Sequence, residues 1–199
     1  MTKKNKLDRR TIYTVNTIKD SFLELINQEP YSQINVAKLC RHADMTRSTF
    51  YSHFDNLTAV LNAVLDDAML FTNDTQTTAT IDPRISLDLL KENESLLPAC
   101  QRIADSSKYR QLLMDPNLND YIIGRIVAHE KDRIVPAIQK RTNLNESEAE
   151  LLFIYSIHGS FAINKRHHFV KDDAWYRELQ LLNQFTSAGY ESIKQNNSK

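Results

Sequence analysis

The stretch INVAKLCRHADMTRSTFYSHFDNL, residues 34–57, decides the fold because it holds two short helical patterns separated by only three residues. Asn35 is a good N-cap for the first pattern, in which Val36 and Leu39 recur at helical spacing. After a break at Asp44–Thr46, a second pattern places aromatic residues four apart on one face. Two helices this short bury too little apolar surface to be stable alone, so we expect longer helices to hold them.

Longer amphipathic helices are predicted on both sides of this pair. Apolar residues recur every three or four positions between residues 7 and 28, which predicts a helix of about six turns that ends before Pro30. On the other side, Asn56 can cap a further helix with an inward apolar face. The threonine-rich segment 72–80, followed by Pro83, is typical of a boundary. We therefore predict an N-terminal domain over residues 1–70 and a C-terminal domain over residues 71–199.

The C-terminal part shows helical periodicity and no strand alternation. A capping signal at Asn145 or Ser147 precedes a helix that is apolar on nearly all sides. The last predicted helix, residues 172–195, places one apolar stripe along its length: Trp175, Leu179, Leu182 and Phe185. The predicted fold class is all-α, with an N-terminal three-helix helix-turn-helix domain and a larger helical domain. The last two helices are candidates for a homodimer interface; the alternative is that they complete the core of a monomer.

Composition and cysteine content narrow the class of protein. Hydrophobic residues are 41% and charged residues 25% of the chain, as in average soluble globular proteins. Cys40 and Cys100 lack the spacing of a metal site or a disulfide framework, which favours a reducing, cytoplasmic location. The longest apolar run, residues 151–157, is too short to cross a membrane, and no secretory signal is predicted.

The net charge of zero conceals an asymmetry between the two ends of the chain. Residues 1–58 carry nine Lys and Arg against six acids, a net charge of +3, and five of those nine lie in the first ten residues. Such a cluster is either a solvated tail or a basic arm that precedes a module binding a polyanion. The cluster alone does not distinguish the two.

The second short helix, residues 46–54, has the composition of a DNA-recognition helix. In a helix-turn-helix the second helix enters the major groove with its N-terminal residues at the base edges. Arg47 can bind guanine through two hydrogen bonds, while Phe50 and Phe54 face inward and Tyr51 faces outward. The alternative is that Thr46 only caps the helix and all three aromatic side chains are core. The residues that we predict to contact DNA are Lys3, Lys4, Asn35, Lys38, Thr46, Arg47, Ser48, Thr49, Tyr51 and His53.

These residues resemble the DNA-binding domain of the TetR family of transcriptional regulators over about residues 8–68. Ala43–Thr46 take the positions of the family's Ala-Gly-Val-Ser turn, and Leu39 and Cys40 those of the preceding apolar residue and alanine. The recognition helix of that family matches at Thr49, Phe50, Tyr51, His53 and Phe54. The sequence departs from the family at two positions, with Ser48 where glycine is frequent and Leu57 where lysine is frequent.

The resemblance implies a bacterial, homodimeric repressor that binds a palindromic DNA operator and is released by a small-molecule effector. The alternative is an adaptor or activator whose C-terminal domain responds to a protein partner. No Ser-His or Cys-His pattern argues for an enzyme, and we predict no cofactor. His167 and His168 lie near Asp172, but adjacent histidines on a helix point in different directions, so we predict no metal site.

An effector pocket is predicted from aromatic and polar residues on otherwise apolar helices. Arg125 and His129 lie one turn apart and can meet an anionic effector, or they can form surface salt bridges with Glu130 or Asp132. The predicted pocket residues are Tyr109, Tyr121, Arg125, His129, Phe153, His158 and Phe161.

Overall fold

A computed structural model of the chain describes residues 9–69, 87–92 and 106–197. Within these ranges every regular element is helical and no strand occurs, which confirms the predicted all-α fold with an N-terminal helix-turn-helix and a larger helical C-terminal part. Two short 3-10 turns, Tyr31–Gln33 and Pro116–Leu118, connect longer helices. The α-helices are α1 (Arg9–Ile26), α2 (Val36–His42), α3 (Arg47–Tyr51), α4 (Leu57–Met69), α5 (Leu87–Glu92), α6 (Ser106–Met114), α7 (Asn119–Thr142), α8 (Glu146–Arg166) and α9 (Asp173–Asn197).

The N-terminal helices form a small core around the helix-turn-helix. Helix α1 packs against α2 and α4, and α3 packs against α2. Ile18 and Phe22 of α1 are fully buried, as are Leu39 of α2 and Phe50 of α3. Apolar residues at helical spacing on each element therefore meet in the centre, as the sequence pattern predicts.

The same hydrophobic core continues into the C-terminal helices, which pack around α7. Helix α7 ends at Asn143, whose left-handed backbone (φ 61°) reverses the chain. Asn145 then caps α8: its side chain accepts from the Glu148 N–H and the Glu148 carboxylate accepts from the Asn145 N–H, both at 3.0 Å. Of the two predicted caps of α8, the structure uses Asn145, because this reciprocal pair satisfies two N–H groups at once.

Polar contacts join α1 and the loop after it to the C-terminal helices. The Lys108 ammonium lies 2.9 Å from the Asp20 carboxylate, which links α6 to α1. The Tyr31 N–H donates to the buried carboxylate of Asp115 at 2.7 Å. Asp115 also caps the 3-10 turn Pro116–Leu118, so one carboxylate connects the turn before α2 with the start of α7.

A second set of polar contacts joins α4 to α7. The Tyr121 hydroxyl lies 2.5 Å from the Asn62 side-chain oxygen, and one turn further along both helices the Arg125 guanidinium pairs with Asp66. Because α4 follows α3 after a short turn, these contacts bear directly on the position of the helix-turn-helix.

Helices α8 and α9 run antiparallel. The Trp175 indole N–H donates to the Asn164 side-chain oxygen at 2.8 Å near one end, and Tyr190 hydrogen-bonds Ser156 near the other. Burial of this tyrosine raises the pKa of its hydroxyl, and the hydrogen bond with Ser156 lowers it to a lesser extent.

The predicted stripe of α9 is wrong at its C-terminal end. Trp175 and Leu179 are buried, but Phe185 is 65% exposed. The inward positions that follow Leu179 are occupied by two polar residues, Asn183 and Ser187, both buried. Grouping apolar residues by spacing fails here because α9 has apolar side chains on two faces, only one of which packs within the chain.

No helix in the described ranges is both long enough and apolar enough to cross a membrane. His167 lies 3.0 Å from the Glu178 carboxylate and 3.6 Å from that of Asp172. The same parts of the chain contain no group of three or more His, Cys, Asp or Glu residues placed to hold a metal ion.

We expect Asn164→Ala to lower the free energy of unfolding by about 1–3 kcal/mol, because it leaves the buried Trp175 N–H without an acceptor. Urea denaturation followed by circular dichroism measures the change. Gln184→Ala, at an exposed position of α9, serves as the control and should change stability by less than about 0.5 kcal/mol. Equal stability of both variants would contradict a stabilising role for this hydrogen bond.

Candidate nucleic-acid interface

The turn between α2 and α3 depends on left-handed backbone at Asp44, which has φ 48°. The Met45 N–H donates to the Cys40 carbonyl at 2.9 Å and the Asp44 N–H to the Arg41 carbonyl at 3.3 Å. These two bonds form a Schellman motif, which ends α2 and redirects the chain. The predicted break at Asp44–Thr46 therefore begins with a left-handed residue, and aspartate accepts this conformation better than most residues other than glycine.

Helix α3 begins at a side-chain cap. The Thr46 hydroxyl accepts from the Thr49 N–H at 3.1 Å, and the hydroxyls of the two threonines lie 2.9 Å apart. The Ser52 hydroxyl donates to the Thr49 carbonyl at 2.7 Å and helps to close the far end. The predicted cap at Thr46 is confirmed, and three hydroxyl groups hold a helix of only five residues.

The aromatic residues of α3 divide between the core and the surface as predicted. Phe50 and Phe54 are buried, with ring centroids 6.1 Å apart. Tyr51 is 55% exposed and rests with its edge against Phe50, at a centroid distance of 5.2 Å. The alternative that all three aromatic residues are core is therefore wrong.

Exposed polar side chains surround Tyr51 on α3. Arg47 and Ser48 are both exposed, in the first turn of the helix. Beneath them lies the thiol of Cys40, whose pKa is raised by burial and lowered to a lesser extent by the charge of Arg47. The thiol is buried and protonated, so it acts as a small apolar group, and the charge of this surface comes from the arginine.

A polar cleft of about 380 Å³ separates α3 from the first turns of α1. It joins predicted contact residues to four that the sequence interpretation missed, namely Ser52 and, on α1, Arg10, Thr11 and Thr14. The residues that line the cleft are Arg10, Thr11, Thr14, Ser48, Thr49, Ser52 and His53. Arg10 and Thr14 lie one helical turn apart on α1, and this spacing was the signal available in the sequence.

Two residues predicted to contact DNA, Lys38 and Asn35, form contacts within the domain. The Lys38 ammonium lies 2.5 Å from the Glu29 carboxylate and 3.3 Å from the Gln33 carbonyl. The Asn35 side chain caps α2 by accepting from the Lys38 N–H at 3.0 Å. Lys3 and Lys4 lie outside the described residues.

The predicted effector residues lie in different environments within the described part of the chain. Tyr109, Phe153 and Phe161 are buried in the core. His158 is exposed on α8, and Tyr121 is bonded to Asn62. Arg125 and His129 line one cleft, where Arg125 pairs with Asp66 and His129 lies 2.9 Å from the Glu130 carboxylate.

The helix-turn-helix matches the family model described as bacterial regulatory proteins, tetR family, over residues 20–64. This match confirms the resemblance to the TetR family of regulators seen in the sequence, within the helix-turn-helix part of the chain. Among solved structures, the chain is similar to the TetR family repressor AlkX from Dietzia sp. strain DQ12-45-1b, implicated in biodegradation of n-alkanes. The identity is 17%, the TM-score 0.48, and the coverage 89% of this chain and 97% of the other. No curated protein matches the chain.

We expect Asp44→Gly to raise the free energy of unfolding by about 1 kcal/mol, because glycine adopts the left-handed conformation without steric cost. The change also removes a negative charge from the C-terminal end of α2, where the helix dipole disfavours it. Urea denaturation measures the effect. Asp44→Ala removes the same charge but keeps Cβ, so it is the matched control and should be less stable than the glycine variant; equal stability would argue against backbone strain at this turn.

Proposed function

We propose that the protein is a homodimeric transcriptional regulator of the TetR type, acting as a repressor in the cytoplasm. The observation that carries this proposal is the contrast between two adjacent residues of α3: Phe50 is fully buried and Tyr51 is mostly exposed. A helix anchored by its aromatic residues presents Arg47, Ser48 and Tyr51 on a rigid outer face. That face can enter the major groove, where arginine binds guanine and small hydroxyls bind bases or phosphates.

Phosphate contacts are proposed around this recognition surface. The polar cleft between α1 and α3 brings hydroxyl groups, the His53 ring and Arg10 to the edge of the recognition helix. Contacts of these types position a protein on the DNA backbone, whereas base contacts supply specificity. The net charge of +3 over residues 1–58 favours the same partner. In this proposal the cleft replaces Lys38, which is paired with Glu29, as the source of phosphate contacts.

The proposed dimer uses the outer faces of α8 and α9. Leu151 and Tyr155 of α8 are 67% and 66% exposed, and Leu181 and Phe185 of α9 are each 65% exposed. Apolar side chains this exposed on two antiparallel helices favour burial against a second copy of the same pair, in a four-helix bundle. A dimer with two-fold symmetry would place two recognition helices about 34–36 Å apart and bind a palindromic operator.

Release from DNA by a small-molecule effector is the proposed mode of regulation. It is supported by the polar contacts that connect α7 with α4, since α4 follows the recognition helix. The second candidate is an adaptor or activator whose C-terminal helices bind a protein partner. The exposed apolar faces of α8 and α9 support this candidate as well, if a different protein occupies them.

The proposed DNA-binding function is tested by selecting duplexes from a random library with the purified full-length protein. The expected outcome is enrichment of a palindrome whose half-sites lie about one helical turn apart. Affinity for the selected duplex should fall steeply with salt, since each neutralised phosphate releases counterions. Failure to enrich any sequence would contradict the proposal.

We expect Arg47→Ala and Tyr51→Ala each to weaken binding to the selected duplex by about tenfold or more, corresponding to the 1–3 kcal/mol of a good base contact. Both side chains are exposed, so the melting temperature should stay within about 2 °C of wild type. Fluorescence anisotropy at fixed salt measures the affinity. The control is Arg177→Ala, an exposed arginine on α9, which should bind as wild type does. Normal DNA binding by both α3 variants would exclude α3 as the recognition helix.

We expect Phe185→Glu to convert the dimer into a monomer, because it places a charge in the proposed apolar interface. Analytical ultracentrifugation measures the mass, and the monomer should lose most of its affinity for the palindrome. Val170→Glu changes another exposed apolar residue, outside both faces, and should remain dimeric. If the wild-type protein is itself monomeric, or the glutamate variant at position 185 stays dimeric, this interface is wrong.

A further inference from the structure

A cleft of about 550 Å³ lies between α4 and α7, near the C-terminal end of α4. The described residues that line it are Asp66, Arg125, Ala128 and His129. It contains two groups that can carry positive charge and one carboxylate. A cleft of this size is large enough for a small organic molecule.

The guanidinium of Arg125 is incompletely bonded in this cleft. One terminal nitrogen donates to the Asp66 carboxylate, while the Nε–H group is buried and has no hydrogen-bond partner. A guanidinium presents five N–H donors in a planar fork, and a buried donor without an acceptor costs free energy. A carboxylate that approached the edge formed by Nε and a terminal nitrogen would satisfy the unpaired donor.

Asp66 holds Arg125 weakly. Its side chain is 51% exposed, whereas that of Arg125 is only 28% exposed. An ion pair with one partner largely in water contributes little to stability, because the carboxylate is nearly as well solvated after it separates. Another carboxylate can therefore displace Asp66 at small cost, and the buried Nε–H gives it a bond that Asp66 does not make.

The neighbouring histidine favours the same ligand. His129 lies one turn after Arg125, and its ring nitrogen is 2.9 Å from the Glu130 carboxylate. Glu130 is buried and also pairs with Arg133, so its charge is already compensated outside the cleft. Once Asp66 has moved away, the cleft retains Arg125 and the polar edge of His129, and its lining favours an anion.

We propose that this cleft binds a small organic carboxylate, which takes the Arg125 guanidinium from Asp66 and so breaks the ion pair between α4 and α7. The consequence for DNA rests on the function proposed above. Of the two polar contacts between α4 and α7, only the Tyr121–Asn62 hydrogen bond then remains. The position of α4, and with it that of the helix-turn-helix, changes. The carboxylate would thus weaken DNA binding by preferring the conformation in which α4 and α7 are separated.

The test titrates benzoate and butyrate into the full-length protein by isothermal calorimetry, with inorganic phosphate as a second anion. We expect Arg125→Gln to weaken carboxylate binding by about tenfold or more, through loss of the charged fork. Asp66→Asn should strengthen binding by about threefold, because it removes the competing charge. Lys108→Gln is the matched control: it breaks the other ion pair between the two halves, with Asp20, and should leave carboxylate affinity unchanged.

The opposite effects of the two cleft variants separate a binding site from a structural ion pair. If the ion pair were only structural, the wild-type protein would not bind carboxylate, and Asp66→Asn would not bind it more tightly. If Arg125→Gln does not fold, Arg125→Lys keeps the charge but loses the fork, and it should also bind several-fold more weakly. Absence of binding by benzoate and butyrate would overturn the proposal. So would weaker binding in Asp66→Asn, or phosphate binding as tightly as either carboxylate.

The selected duplex distinguishes this inference from the proposed function. Wild-type protein should bind it in the absence of carboxylate, and saturating carboxylate should reduce the affinity about fivefold or more, the lower range of allosteric coupling. DNA binding that carboxylate does not change would overturn the regulatory inference and leave the proposed function intact. Carboxylate binding with the expected variant pattern, but no DNA binding, would reject the proposed function and leave the site intact.

Discussion

The left-handed backbone at Asp44 is the constraint on which the DNA-binding half depends. Only a sharp reversal at this residue lets α2 end with its carbonyls bonded and α3 begin three residues later. That reversal sets the angle at which Phe50 enters the core, and the position of Phe50 in turn sets the outward direction of Tyr51. A small backbone feature thus decides which side chains of a five-residue helix face the solvent.

The two halves of the chain are joined by polar contacts as well as by a continuous apolar core. Apolar packing holds the helices together but tolerates small sliding movements, whereas hydrogen bonds and ion pairs select one register. Asp115 is the most buried of these polar groups, and it connects the turn before α2 with the start of α7. The Asp66–Arg125 pair is more exposed and incompletely bonded, which makes it the more easily exchanged contact.

Helix α9 has apolar side chains on a buried face and on an exposed face. Trp175 fills the interior of the chain and bonds to Asn164, while Phe185 projects outward from the same helix. The sequence grouped both residues in one stripe, because each is apolar and the spacing allowed it. Asn183 and Ser187 take the inward positions instead, and larger apolar side chains such as Phe185 face the solvent.

The local interactions of this fold could be predicted from the amino-acid sequence. The caps at Asn35, Thr46 and Asn145, the break at Asp44 and the helical periodicity each depend on residues within five positions of one another, so the sequence could predict them. Residues distant in the sequence meet only in the folded chain. The pairing of Lys38 with Glu29, the approach of α1 to α3 and the meeting of Arg125 with Asp66 were therefore decided by tertiary structure. A charged side chain that is chemically suited to bind a partner can already be neutralised within the folded chain, as Lys38 is by Glu29.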